Sequence, residues 1–279
     1  MAKSTKTELD AWLDGKSRIV ALTGAGISAG AGIPTYRDRD GNWQRSDPIQ
    51  HQDFVRQESS RQRYWLRSYI GWPAVSRATP CVSHHALAEL EQSGPVQLTV
   101  TQNVDRLHQK AGADSVVDLH GRLDRVVCLA CQRLFERSSI QNRLLALNPF
   151  LEQLGDNAEL APDGDADVES ELTAQMVTPA CEHCGGDLKP DVVFFGDNVN
   201  REIVQSVYKA LDDADGLLIV GTSLKVFSGF RFCRYAAQRG TDIASINPGV
   251  TRGDELIRTR IRQDCDEVLG RYALDKRTA

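Results

Sequence analysis

Apolar residues along this chain gather in short compact runs that stop at glycine or small polar residues, and stretches of helical spacing separate the runs. Leu9, Trp12 and Leu13 share one face of a short helix placed to close the bottom of a sheet. Arg18 to Thr23 reads as a strand that runs straight into a glycine turn and a helix start, Gly24 to Pro34. Val96 to Val100 and Val116-Val117 are two further strands, each delivering a polar cluster at its end. Ahead of them, Ser83 to Leu90 has helical spacing and is stopped by Gly94-Pro95.

The second half returns to the same rhythm. Asp191 to Asp197 reads as a buried strand with a glycine stop, Ile203 to Leu211 as a helix, and Gly216 to Leu224 as a strand ending in small polar residues. Phe230 to Gln238 is a helix, Asp242 to Ile246 a strand, and a final short strand is expected after Cys265. Strands alternating with helices predict an α/β fold with a doubly wound parallel, Rossmann-like sheet whose ligand edge lies at the strand-end turns. Two segments break the rhythm. From Tyr36 to Pro80 the chain is polar and aromatic-spiked without a strand, which predicts a mobile loop and a helical insertion with helical spacing from Phe54 to Ile70. The other holds a helix from Ser138 to Leu147 and an acidic stretch without Lys or Arg from Leu144 to Leu188.

A length of 279 residues allows a full core in one large domain. The net charge of -5 gives no basic footprint for nucleic acid or an anionic membrane. No apolar run is long enough to span a bilayer, and Lys3 and Lys6 are followed by no apolar signal core, so a soluble cytoplasmic protein is expected. Four of the seven cysteines form the pairs Cys128-x-x-Cys131 and Cys181-x-x-Cys184, with 49 residues between them. Four thiolates suit a tetrahedral zinc with no open position, hence a structural metal. Asp163, Asp165 and Asp167 invite a calcium-loop reading that fails, because Val168 stands where glycine is needed and Ala174 where glutamate is needed.

The chemistry concentrates at strand ends. Gly24, Gly26 and Ala29 fit the glycine pattern of a dinucleotide phosphate site, where backbone N–H groups at a helix start meet the anion. The segment from Asn42 to Asp47 does not end a second strand with a ribose-binding acid, so the match to a hydride-transfer enzyme is incomplete. After Thr101 come Gln102, Asn103, Val104 and Asp105, and after Asp118 come Leu119, His120 and Gly121. A lone histidine at a strand end is more often structural. Beside Asn103 and Asp105, which together can donate to and accept from an amide, His120 becomes a candidate general base. Tyr64 and Arg67 share a helix face, and spacing alone reads them as a packed ring beside a solvated cation.

Taken in order, Gly24 to Ser28 with Gly32-Ile33-Pro34, Thr101 to Asp105, Leu119-His120-Gly121, the two cysteine pairs, Gly221-Thr222-Ser223 and Asn247 resemble the sirtuins over about residues 17–269. Gln62 to Trp65, Ala161 to Asp165 and Lys189 to Asp197 look like the class II branch, closest to its fourth, mitochondrial mammalian member, while the N-terminus points to a bacterial cytoplasmic relative. The resemblance divides one sirtuin-type domain into a large part of about 1–36, 81–121 and 191–279, a helical insertion of about 37–80, and a zinc part of about 122–190.

The resemblance implies an NAD-dependent lysine deacylase that yields nicotinamide, O-acyl-ADP-ribose and free lysine. It places catalysis on His120 and Asn103, with His120 as base on the ribose hydroxyls. It assigns NAD to Gly24, Ala25, Gly26, Ser28, Pro34, Tyr36, Arg37, Gln102, Asn103, Val104, Asp105, Gly221, Thr222, Ser223, Asn247, Pro248, Gly249 and Cys265. One Zn2+ falls to Cys128, Cys131, Cys181 and Cys184. The acyl-lysine peptide would add as a strand between Val193, Phe194, Phe195, Gly196 and Leu224 to Ser228, with Tyr64 and Arg67 facing its acyl chain. Val226-Phe227-Ser228-Gly229 lacks the proline usual in the family, and Tyr36 stands where Phe is usual. ADP-ribosyl transfer to protein, lipoyl- or biotinyl-lysine amidase activity, a dehydrogenase and a non-enzymatic NAD-sensing or zinc module remain as alternatives. The sequence leaves the oligomeric state open.

Overall fold

A computed structural model describes residues 7–38, 40, 42–44, 48–154 and 170–278. The acidic triplet Asp163, Asp165 and Asp167 lies outside the described residues. Among those described, the strands are β1 (Ile19–Thr23), β2 (Val96–Thr101), β3 (Val116–Asp118), β4 (Gly121–Cys128), β5 (Leu134–Glu136), β6 (Leu188–Val192), β7 (Gly216–Val220), β8 (Asp242–Ile246) and β9 (Thr259–Ile261). Six of them form one sheet in the order β3-β2-β1-β7-β8-β9, parallel at every pairing. The other three form a small antiparallel sheet, β5-β4-β6.

The strand order reverses between β1 and β7, and a crevice opens at such a switch point outside the carboxyl ends of the strands. The compact apolar runs form strands here because both faces are covered. Ile19 and Ala21 of β1, with Leu218 and Val220 of β7, point into one core beside Leu9, Trp12 and Leu269. Val20 and Leu22, with Leu217 and Ile219, point into the other beside Val207 and Phe232. The period-two alternation of a strand thus feeds two cores from one continuous run.

A third core is shared between the helical insertion and the cysteine region. Phe54, Tyr64, Trp65 and Leu66 pack with Val126, Ile140, Leu144 and Leu188. Across that junction Arg137 is buried, with its guanidinium 5.6 Å from the Trp65 ring and 5.3 Å from the Trp72 ring. It donates to Ser68 O at 3.1 Å, and burial pulls its pKa down to about 10.

Two expectations are corrected. The run Asp191–Asp197 is not a strand of the large sheet: β6 ends at Val192 and pairs antiparallel with β4, and Val193 to Phe195 continue as half-buried backbone. Its aromatic side chains pack locally, Phe194 lying 5.1 Å from Phe54 and 5.4 Å from Tyr64, so apolarity there reflects the insertion and not a sheet. The last strand, β9, precedes Cys265, and Cys265–Thr278 is a helix. Val268, Leu269 and Tyr272 supply the helical face that joins the core, whereas β9 buries only one of three side chains and leaves little periodic signal. The insertion is two helices, His51–Arg56 and Glu58–Arg77, divided at Gln57.

Candidate active site

The crevice between β1 and β7 is built by two interlocked glycine turns. Gly24 N–H donates to Val220 O at 3.2 Å, and Gly26 N–H donates to Gly221 O at 2.8 Å. Gly221 has φ +62°, and a Cβ there would lie 2.3 Å from Ile27 N. Only glycine fits such a contact. The following Ala25–Ala31 segment is a 3₁₀ helix capped by Gly24, whose lack of a side chain lets a ligand approach the backbone, while the Gly26 and Ile27 N–H groups are already bonded to Gly221 O and Gly24 O.

The end of β2 supplies the next layer. Gln102 donates through Nε2 to Thr23 O at 3.1 Å and to Thr222 Oγ1 at 3.0 Å, tying three strand ends together. Asn103 donates through Nδ2 to Gly24 O at 3.2 Å and to Ser28 Oγ at 3.0 Å. Ser28 in turn donates to Asp105 Oδ2 at 2.7 Å, and Asp105 Oδ1 accepts from Leu107 N–H at 2.9 Å. Ser28 and Asp105 are therefore buried supports behind Asn103 and do not line the cavity.

His120 follows β3. Its Nδ1 lies 2.9 Å from Gln102 O and its Nε2 lies 2.7 Å from Ser228 Oγ. A carbonyl oxygen can only accept, so Nδ1 carries the proton and the Nε2 lone pair takes the Ser228 hydroxyl hydrogen. Burial lowers the His120 pKa to about 4, with the Gln102 carbonyl opposing that shift and the Arg231 charge adding to it. A neutral imidazole with its lone pair toward the cavity is a base ready to accept a proton.

These groups open onto one cavity of about 640 Å³, within the range of cofactor sites. Gly24, Ala25, Gly26, Tyr36, Arg37, Gln102, Asn103, Val104, Gly221, Thr222, Ser223, Asn247, Pro248, Gly249 and Cys265 all line it. Pro34 does not. Over the mouth, Tyr36 stacks on Trp43 at 5.3 Å, Arg37 lies 4.9 Å above Trp43, and Trp43 meets Phe195 edge-on at 5.8 Å. Asn247 closes its own turn through Nδ2 to Gly249 O at 2.9 Å.

On the opposite wall Val193 to Gly196 face Lys225 to Ser228 across the same cavity. Val193 N–H donates to His120 O at 2.8 Å, which locks this edge to the base. Tyr64 reaches the cavity, but Arg67, one turn along the helix, is buried away from its lining. Sequence reasoning named Ser228 on the peptide edge but missed Trp43 and Arg231 as lining residues. The i, i+3 spacing of Ser228 and Arg231 at the start of helix Phe227–Gln238 is the signal that could have added Arg231.

Apart from the crevice, the Sγ atoms of Cys128, Cys131, Cys181 and Cys184 all lie within 4.8 Å of one another. Cys128 and Cys184 are 3.5 Å apart, Cys131 and Cys181 3.7 Å. Tetrahedral zinc with Zn–S near 2.3 Å requires S···S edges of about 3.8 Å, so the four sulfurs fit the ion and leave it no open position.

A doubly wound sheet with a glycine-lined crevice at its switch point, a histidine lining that crevice and a remote cluster of four cysteines that could hold a structural zinc define a nucleotide-binding class of protein. Residues 24–228 match the profile of the Sir2 family, and the chain belongs to that family. The NAD-dependent protein deacetylase of Bordetella bronchiseptica is 50% identical over 261 residues, covering 94% of each chain. NAD-dependent protein deacetylase 3 of Pseudomonas syringae pv. tomato is 44% identical, covering 90% of this chain and 89% of its own. Among solved structures, a mutant Sir2 homologue in complex with ADP-ribose superposes with TM-score 0.75 at 29% identity, covering 98% of this chain and 97% of that one. Sir2 with a p53 peptide and NAD+ has the same fold, with TM-score 0.79 at 23% identity over 99% of this chain and all of that one.

Proposed function

We propose that this protein is an NAD-dependent deacylase of lysine side chains in proteins, releasing nicotinamide, O-acyl-ADP-ribose and free lysine. The observation that carries the reading is one cavity shared by the glycine turns, the His120 lone pair and two facing backbone edges. NAD supplies an electrophilic ribose carbon with nicotinamide as leaving group. Gly24 to Gly26 hold its phosphates, Gly221 to Ser223 with Asn247 to Gly249 and Cys265 hold its adenosine half, and Tyr36 and Arg37 cover it. Gln102 and Asn103 orient the nicotinamide end, braced by Ser28 and Asp105, and Val104 packs beside them. His120 Nε2 takes the proton of a ribose hydroxyl so that this oxygen can attack the acyl carbon. The substrate backbone enters between Val193–Gly196 and Lys225–Ser228 as an added strand.

Closeness to the class II branch, and to its fourth mammalian member, rests on Gln62 to Trp65 and Lys189 to Asp197. A reducing cytoplasmic setting suits four thiolates kept free for zinc. The test is nicotinamide release from NAD with and without acyl-lysine peptides. Release that requires one of those peptides supports deacylation, whereas ADP-ribose on the protein target and no acyl-ADP-ribose by mass spectrometry would replace it with ADP-ribosyl transfer.

A further inference from the structure

We propose that Arg231 is a carboxylate-binding residue beside His120, selecting substrates that carry an acid close to the reacting acyl group. This rests on the deacylase reading. Arg231 lines the cavity together with His120, Phe227 and Ser228. It lies one turn beyond Ser228 and four residues beyond Phe227, so all three share a helix face, with the guanidinium carbon 5.0 Å from the Phe227 ring centroid. Its charge is near enough to help hold the His120 ring neutral.

The guanidinium has donors to spare. Arg231 Nε is buried without a hydrogen-bond partner, and among the described residues no carboxylate lies within ion-pair distance of the side chain. The acids lining the same cavity are engaged elsewhere. Asp38 accepts from Asn42 N–H at 2.8 Å and from Asn42 Nδ2 at 3.0 Å, Asp197 pairs with His51 at 3.1 Å and accepts from Asn198 N–H at 2.7 Å, and Asp264 accepts from Asp266 N–H at 2.9 Å. A buried donor left unmade is costly, and the Phe227 face offsets only part of that cost. An incoming carboxylate satisfies it with a charge-assisted, two-pronged bond that a neutral acyl group cannot make. Arg67, which the resemblance set facing the acyl chain, is excluded from the cavity lining, whereas Arg231 on helix Phe227–Gln238 is part of it.

Two substrate groups present this chemistry: the free end of a dicarboxylic acyl chain, and an acidic side chain flanking the modified lysine. The experiment separates them with matched peptides on the full-length protein. One pair carries glutaryl-lysine or its terminal amide. The other carries acetyl-lysine flanked by Glu or by Gln. For the unmodified protein, Arg231→Gln and Arg231→Lys, kcat/KM is read by nicotinamide release, and equilibrium binding of the same peptides is read by calorimetry, which needs no turnover. Arg231→Gln is expected to lose about 10- to 100-fold in kcat/KM and affinity on the carboxylate member of one pair, as for a charge-assisted bond. On the neutral members the loss should be at least about fivefold smaller than on their carboxylate partners, and Arg231→Lys should recover part of the difference. The pair that shows the loss identifies the source. Equal loss on all four peptides, or no loss on any, overturns the proposal while leaving deacylation standing. An absence of acyl-dependent release from the unmodified protein overturns the deacylase reading, and the binding arm then decides the subsite by itself.

Discussion

His120 Nε2 stands 2.7 Å from Ser228 Oγ, at the point where β3 meets the first turn of helix Phe227–Gln238. The hydroxyl occupies the lone pair that a ribose hydroxyl needs, so Ser228 is displaced when the base works. His120→Ala should therefore cut steady-state formation of O-acyl-ADP-ribose and free lysine about 10²- to 10⁴-fold while NAD affinity by calorimetry stays within about threefold. Ser228→Ala removes a competitor for the base and should hold activity within about tenfold. Turnover unaffected by His120→Ala would take the role of base away from this ring.

Two buried histidines, His84 and His108, and the half-buried His120 make stability depend on acid. Burial lowers His120 and His84 to about 4 and His108 to about 3, all from 6.5. Folded values below the unfolded one mean that the unfolded chain binds more protons in this window. Their effect is absent above pH 6.5, and stability falls as pH drops from there toward 4. Aspartates held low, such as Asp215 and Asp254, titrate beneath this window, since their unfolded value is 3.8. Urea unfolding at pH 7.5, 5.5 and 4.5 should show the decline, and a midpoint constant across these three would contradict it. Over the same range, kcat/KM should keep its base deprotonated, with the acid limb near pH 4.

The glycine interlock gives a backbone test. Gly221→Ala places a methyl 2.3 Å from Ile27 N in a left-handed conformation. It should lower stability by at least ~1–3 kcal/mol and weaken NAD binding, because the turn carrying Thr222 and Ser223 must shift. By contrast, Gly240→Ala has open space around the added methyl, despite φ +73°, and should lower stability less without touching NAD affinity. Thermal melts with calorimetry distinguish the two.

Zinc removal should act on folding ahead of chemistry. Elemental analysis should find a single zinc per chain, lost in Cys128→Ser or with a strong chelator. The third core, which shares Cys128 and Cys181 with Phe54 and Tyr64, would then loosen and expose Trp65 to fluorescence quenchers. Full NAD affinity at low temperature in the zinc-free protein would agree with a metal remote from the crevice. Retention of the melting temperature after zinc loss would argue against a structural role.

Much of the site was legible because its groups follow apolar runs directly. Gly24, Gln102, Asn103 and Gly221 sit within a few residues of a strand end, and a parallel sheet carries strand ends to one edge whatever the loops do. The cysteine pairs were legible for a similar reason, since a two-residue gap already sets two sulfurs for one ion. What failed was the reading of apolar runs outside that frame. Val193 to Phe195 are as apolar as a strand but pack on the insertion, and β9 is too short to show a period.

The sequence by itself determined the doubly wound class, the glycine crevice, the tetrathiolate and the candidate base, since each depends on residues near one another along the chain. Only the tertiary structure decided that Asp105 and Ser28 stand behind Asn103, that His120 is neutral with its lone pair on Ser228, and that Arg231 replaces Arg67 at the cavity. These are consequences of burial and of contacts between segments about a hundred residues apart, such as His120 with Ser228. Local spacing carries no information about which face of a helix meets a distant strand end, because that choice is made by packing the three cores together.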